Sequence, residues 1–133
     1  MPKSVLIIDD EPLITAALMT RLEALGYHVY HAINGLAGVQ AAELHRPDAI
    51  ILDIRMPDID GYEVCTRIKR TPELSNTPVI FLSANVQDSA RQRAMAVGGS
   101  VFLSKPYEAT DVIAAIEDLT EQPLTLKENA KHV

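Results

Sequence analysis

Short unbroken apolar runs, VLII at Val5 to Ile8, AIIL at Ala49 to Leu52 and VIFL at Val79 to Leu82, leave this chain few ways to fold. A strand with one wet face alternates apolar and polar residues; a run without alternation needs cover on both faces, as in parallel α/β sheets. Two further segments, Tyr27 to Ala32 and Val101 to Leu103, read as shorter strands. Between them lie helical patterns. Pro12 sits near a helix start, Ile14, Leu18, Leu22 and Leu25 follow at helical spacing, and Gly26 stops that helix. Asn34 and Gly35 read as a turn, Leu36 to Leu44 as a helix closed by Arg46 and Pro47, and MPDIDG as a turn into a helix carrying Val64 and Ile68. The polar loop TPELSNTP leads to the fourth strand. Val86, Ala90, Ala94 and Val97 give the fourth helix a narrow stripe of mostly small residues, with Gln87, Arg91 and Arg93 facing out, so its packing is expected to be weak and the element mobile. Gly98 and Gly99 end it, and Val112, Ile116 and Leu119 mark the last helix.

The expected fold is therefore (βα)5, an α/β doubly wound parallel five-stranded sheet in the flavodoxin-like order 2-1-3-4-5. At 133 residues, 47% hydrophobic and 23% charged, the chain suits one domain, expected over 1–121, followed by a polar tail or linker stub over 122–133. A net charge of -6 argues against direct nucleic-acid binding, which draws on clustered Lys and Arg. Cys65 is the single cysteine, so no internal disulfide can form; it reads as a small buried apolar residue. No signal-peptide core or membrane-length apolar stretch is evident, and the expected setting is cytoplasmic, away from the membrane.

The strand ends carry the chemistry. VLII precedes Asp9 and Asp10, AIIL precedes Asp53, VIFL precedes Ser83, and VFLS precedes Lys105. In an open parallel sheet the carboxyl ends of the strands converge where the strand order reverses, so these distant residues can share a pocket. Carboxylates about 5 Å apart repel by roughly 3 kcal/mol at an effective dielectric near 20 and call for positive charge. Mg²⁺, with its preference for oxygen ligands and retained water, answers that need, and Mn²⁺ is a substitute. Asp53 then has a second role open to it, because a carboxylate can attack phosphorus when metal and Lys105 neutralise the incoming oxygens. Ser83 offers a hydroxyl to another phosphoryl oxygen. Rival roles stand beside these: Asp10 alone reads equally well as an N-cap, Asp60 is better explained as the cap of the third helix, and Phe102 alone reads as core. His28, His31, His45 and His132 lack metal-binding spacing.

VLIIDDEP, DAIILDIRMPDIDGYEV, PVIFLSAN and VFLSKP together resemble the receiver domains of two-component response regulators, the CheY-like family, over about Ser4 to Leu119. The resemblance implies that Asp53 accepts a phosphoryl group from a phosphohistidine on a sensor histidine kinase or phosphotransfer domain. It implies that Asp10, Asp53, Asp9 partly through water, and the backbone carbonyl of Arg55 hold Mg²⁺. Ser83, Ala84 and Lys105 correspond to phosphoryl-binding positions, Ser83 and Phe102 to the switch pair, and Lys105 and Pro106 to a cis peptide. Arg55 and Asn85 fall where side chains overlook the phosphoryl group and tune its lifetime. The family is not enzymatic in the ordinary sense, since it catalyses only its own phosphorylation and dephosphorylation. Output passes through the surface of the fourth helix, fifth strand and fifth helix to a downstream protein or a C-terminal output domain, with a phosphorylation-dependent dimer as one form.

Receivers joined to winged-helix domains commonly carry an acidic pair and a tyrosine near the fifth strand and basic residues on the fifth helix. Here stand Gly99, Ser100, Val101 and Phe102, then Glu117 and Asp118, which speaks against that dimer geometry. A haloacid-dehalogenase-type phosphatase would need its nucleophile in a DxD element after the first strand, where this chain has DDEP. A nucleotide or flavin binder would need a glycine-rich loop at that place.

Overall fold

The computed structural model describes residues 2–120. The expected tail at 122–133, the domain limit at 121 and His132 lie outside them. Five strands, β1 (Ser4–Ile8), β2 (His28–Ala32), β3 (Ala49–Asp53), β4 (Val79–Ser83) and β5 (Val101–Ser104), form one sheet in the order β2-β1-β3-β4-β5, with every neighbouring pair parallel. Five helices connect and follow them: α1 (Pro12–Ala24), α2 (Gly35–His45), α3 (Gly61–Arg70), α4 (Asp88–Ala96) and α5 (Ala109–Thr120).

The unbroken apolar runs are covered on both faces. Leu6, Ile8, Ile50, Leu52, Val79 and Phe81 pack toward α2, α3 and α4, where they meet Ala42, Val64, Cys65, Ile68, Ala90 and Ala94. The alternate residues Val5, Ile7, Ala49, Ile51, Ile80 and Leu82 pack against Leu18 and Leu22 of α1 and Val112, Ile113 and Ile116 of α5. Successive side chains of a strand point to opposite faces, so each run serves two cores at once. Burying each such Leu or Ile contributes about 1.5–3 kcal/mol, which makes the central strands the rigid part of the molecule. Cys65 is buried in the first core, its thiol pushed up to about 11 by loss of solvent, consistent with a packing role. Among the described residues no helix is long and apolar enough to cross a membrane.

Several local expectations change. Leu25 lies beyond α1 and is 56% exposed, because the chain already turns toward Gly26 at φ 97°. Asn34 is a helix cap rather than a turn residue: its side chain accepts from the Ala37 amide at 2.8 Å, and Gly35 opens α2. The polar loop before β4 contains a 3₁₀ turn, Pro72–Leu74, that buries Leu74. In α4 only Ala90 and Ala94 are buried, and Val86 precedes the helix and is exposed. Arg91 and Arg93 face out as expected and are exposed, but they also make ring contacts. Their guanidinium groups lie over the rings of Phe102 and Tyr62, 5.0 and 4.1 Å from the centroids. Weak apolar burial of α4 is thus supplemented by cation–π contacts.

Candidate functional site

The site gathers at the carboxyl ends of β1, β3, β4 and β5. Asp9 follows β1 and is only 2% exposed; its carboxylate accepts from the Glu11 amide at 2.8 Å, and its backbone oxygen is 2.9 Å from His31 Nε2. Asp10 is exposed beside it and does not cap α1, whose N-cap is Glu11 without a side-chain cap bond. Asp53 ends the central strand at 5% exposure. Carboxylate oxygens of Asp9, Asp10 and Asp53 lie within 4.8 Å of one another, an all-oxygen set suited to a hard divalent cation.

Lys105 completes the charge pattern. The peptide joining it to Pro106 is cis, and the bond from its amide to the Ser83 carbonyl, 2.8 Å, holds the loop after β5 beside β4. Its Nζ donates to Asp53 Oδ2 at 3.1 Å and to Glu11 Oε1 at 3.2 Å, and stands 3.9 Å from Asp9 Oδ2. Burial raises the Asp53 pKa above the ordinary carboxylate value, against the opposing hydrogen bond and charge of Lys105 and the amides of Arg55 and Ile54. Burial raises Asp9 likewise, against the Glu11 amide and Lys105. Burial by itself lowers the Lys105 pKa, but the bond and charge of Asp53, with Asp9 and Glu11, raise it on balance. Removing water from two acids is thus the larger cost, and one lysine offsets it only in part.

The loops are set by local bonds. Gly61 N donates to the Ile54 carbonyl at 2.7 Å, and a Cβ at Gly61 would meet the Asp53 carbonyl oxygen at 2.5 Å, so glycine is required for α3 to approach the end of β3. Asp60 caps α3 through the Glu63 amide at 2.9 Å. Asp58 receives the amides of Gly35 and Leu36, both at 2.8 Å, tying this loop to the start of α2; these backbone donors hold its pKa low. Ser83 Oγ accepts from Asn85 N at 3.0 Å, while Asn85 Oδ1 turns back to the Gln87 amide at 2.9 Å. Arg55, Ser83, Ala84 and Asn85 line one cleft of about 820 Å³ with Asp53 and Lys105. Phe102 lies outside that lining and is buried at 6% exposure beneath Arg91.

Three contributors escaped sequence reasoning. Glu11 shares Lys105, yet in DDEP it reads as the approach to a helix. Tyr62 and Arg93 line the same cleft from α3 and α4, and nothing in their spacing announces that they meet. His28, His31 and His45 join no metal-type cluster among the described residues; His45 stacks on Tyr30 with ring centroids 3.7 Å apart.

The sequence profile described as the response regulator receiver domain matches residues 5–117. The polar-differentiation response regulator DivK of Brucella anthropi is 35% identical over 117 residues, which cover 88% of this chain and 95% of DivK. The DNA-binding dual master transcriptional regulator RpaA of Synechocystis is 33% identical over 132 residues, 99% of this chain but 54% of that protein. This chain thus spans about half of that longer relative. The structure of Vibrio cholerae chemotaxis protein CheY4 superposes with a TM-score of 0.85 at 26% identity, covering 90% of this chain and 99% of that one. The receiver domain of sensor histidine kinase PA1611 from Pseudomonas aeruginosa, which has a magnesium ion coordinated in its active-site cleft, gives 0.84 at 27% identity, covering 92% and 100%. Sheet order, strand-end acids and the lysine after β5 all accord with these similarities, and the chain belongs to the response regulator receiver domain family.

Proposed function

We propose that this chain is a phosphoacceptor signalling domain in which Asp53 takes a phosphoryl group from a phosphohistidine on a sensor histidine kinase or phosphotransfer domain. The observation that carries the reading is the meeting of Asp53 with Asp9 and Asp10 on one side and Lys105 Nζ, at 3.1 Å, on the other. An isolated carboxylate is a weak nucleophile toward an anionic phosphoryl group, and neighbouring cations are what make the approach feasible.

Asp9, Asp10 and Asp53, with the Arg55 carbonyl, would hold the divalent ion. Mg²⁺ supplies charge neutralisation of phosphoryl oxygens when bound, and Mn²⁺ is the proposed substitute. Lys105, already hydrogen-bonded to the acceptor carboxylate, transfers that bond to a phosphoryl oxygen. Ser83 has the capacity to help: its oxygen accepts from Asn85 N, and its own proton is available for a second phosphoryl oxygen. Ala84, next in the chain, offers its amide. Phe102, whose ring is buried here, is the proposed reporter, turning between buried and exposed positions as Ser83 closes on or leaves the phosphoryl group. That change alters the surface of α4, β5 and α5, read by a downstream protein or a C-terminal output domain and, in one form, by a second phosphorylated copy. Arg55 and Asn85 at the cleft govern how long the acyl phosphate lasts before water removes it.

Incubation with acetyl phosphate and Mg²⁺, followed by intact-mass comparison of wild type and Asp53→Asn, tests the reading. One added phosphoryl mass in the wild type alone is expected. A variant modified as readily as the wild type would move the acceptor elsewhere.

A further inference from the structure

Arg93 belongs to the cleft wall, yet the phosphoacceptor chemistry gives it no task. Its guanidinium stacks 4.1 Å from the centroid of Tyr62, and no carboxylate pairs with it among the described residues. The platform beneath it is fixed: Tyr62 is 9% exposed and its hydroxyl donates to the Ala90 carbonyl at 3.3 Å. A guanidinium resting over a ring without a carboxylate partner keeps hydrogen-bond donors available for an oxyanion.

The surroundings give this cation a direction. In the order β1-β3-β4 the loop after β1, with Asp10 and Glu11, lies on one side of Asp53, and the loop leading into α4 lies on the other. The cleft is therefore acidic toward α1 and carries Arg93 toward α4, with Arg55 and Lys105 as the other two cations in the lining. Its volume, about 820 Å³, is far more than a phosphoryl group needs and falls within the range of roughly 300–1,000 Å³ found for small-molecule sites.

We propose that Arg93, seated on Tyr62 in the cleft that Arg55 also lines, is an anion subsite that selects low-molecular-weight phosphodonors, recognising the second carboxylate of a dicarboxylic acyl phosphate. The proposal rests on the reading of Asp53 as acceptor. In the transfer, an Asp53 carboxylate oxygen forms a bond to phosphorus and the bond from phosphorus to the acyl oxygen breaks. Its electron pair departs on the leaving carboxylate, so no proton or oxidant is consumed. Arg93 touches only the far end of the donor.

The test uses benzoyl phosphate against 3- and 4-carboxybenzoyl phosphate, which differ from it by one remote carboxylate. Labelling of the full chain with Mg²⁺ is followed by intact mass. Since the chain carries a net charge of -6, the extra negative charge disfavours the carboxylated donors unless a receptor exists. At least one of them is expected to show a labelling efficiency about tenfold above benzoyl phosphate, the scale of one charge-assisted hydrogen-bonding contact. That ratio should collapse in Arg93→Gln and survive in Arg91→Gln, whose side chain serves Phe102 instead. In the wild type, terephthalate should also inhibit benzoyl phosphate labelling more than benzoate does, a readout that stands even if Arg93→Gln misfolds. Equal use of all three donors, a ratio that persists in Arg93→Gln, or equal inhibition by the two carboxylates overturns the subsite and leaves Asp53 as acceptor. Failure of every donor to label Asp53 overturns the phosphoacceptor reading, and the subsite with it.

Discussion

Asparagine at position 53 should make the metal-free protein more stable while removing its acceptor. At an effective dielectric near 20, unit charges 4.8 Å apart, the limit within which the acid oxygens lie, repel by about 3.5 kcal/mol. The pair of Asp53 with Lys105 at 3.1 Å gains about 5.4 kcal/mol on the same scale. With one buried acid, Asp9, repelling on that scale and exposed Asp10 adding about 1 kcal/mol after solvent screening, charge interactions nearly cancel. Burial then decides the sign, as the raised Asp53 pKa indicates. Asn keeps the shape and an acceptor for Lys105 without the buried charge. The expected gain is about 1–2 kcal/mol, and at about 4 °C per kcal/mol for a domain of this size it is readily measured by thermal unfolding in chelator.

The pH dependence gives a second handle. A carboxyl whose folded pKa exceeds its unfolded value binds more protons when folded, so it costs stability as pH rises from the ordinary value of 3.8 through the raised folded value. The advantage of Asp53→Asn should therefore grow across that interval and level off above it. Millimolar Mg²⁺ should shrink the difference by stabilising the wild type. A variant no more stable than the wild type near neutral pH without metal would refute the claim that desolvation of the acids outweighs their pairing with Lys105.

Gly61→Ala brings a Cβ within 2.5 Å of the Asp53 carbonyl oxygen and 2.8 Å of Ile54 Cα, both backbone atoms. It should destabilise by about 1–3 kcal/mol in denaturant unfolding, and a neutral result would mean that α3 can withdraw without cost. Arg55→Ala should shorten the lifetime of the acyl phosphate several-fold by admitting water to the cleft, measured as the decay of the phosphorylated mass after donor removal; an unchanged decay would exclude that role.

The architecture was legible because its strongest signals are redundant. Ile50, Ile51 and Leu52 cannot lie in a strand with a wet face, and Pro12, Gly26 and Gly98 punctuate the helices between strands. The meeting of the strand-end residues was legible for the same reason: the sheet order, once inferred, brings Asp9, Asp10, Asp53, Ser83 and Lys105 to one edge. What escaped depends on side-chain reach. Glu11 finds Lys105, and Arg91 and Arg93 settle on rings belonging to β5 and α3, through flexible chains whose endpoints no periodicity encodes. Asp58 escaped for a related reason, since its carboxylate serves the first turn of a helix more than twenty residues earlier in the chain.

Asp53 sits on the middle strand of five, with neighbours laced to it on both sides and Gly61 pressed against its peptide. Such a seat behaves as an anvil. If Asp53 is modified as proposed, added bulk and charge cannot be absorbed by recoil of that residue, and the work passes to the surrounding loops, which are held by a few side-chain bonds. On that reading the message would leave this molecule through its periphery, because its centre refuses to yield.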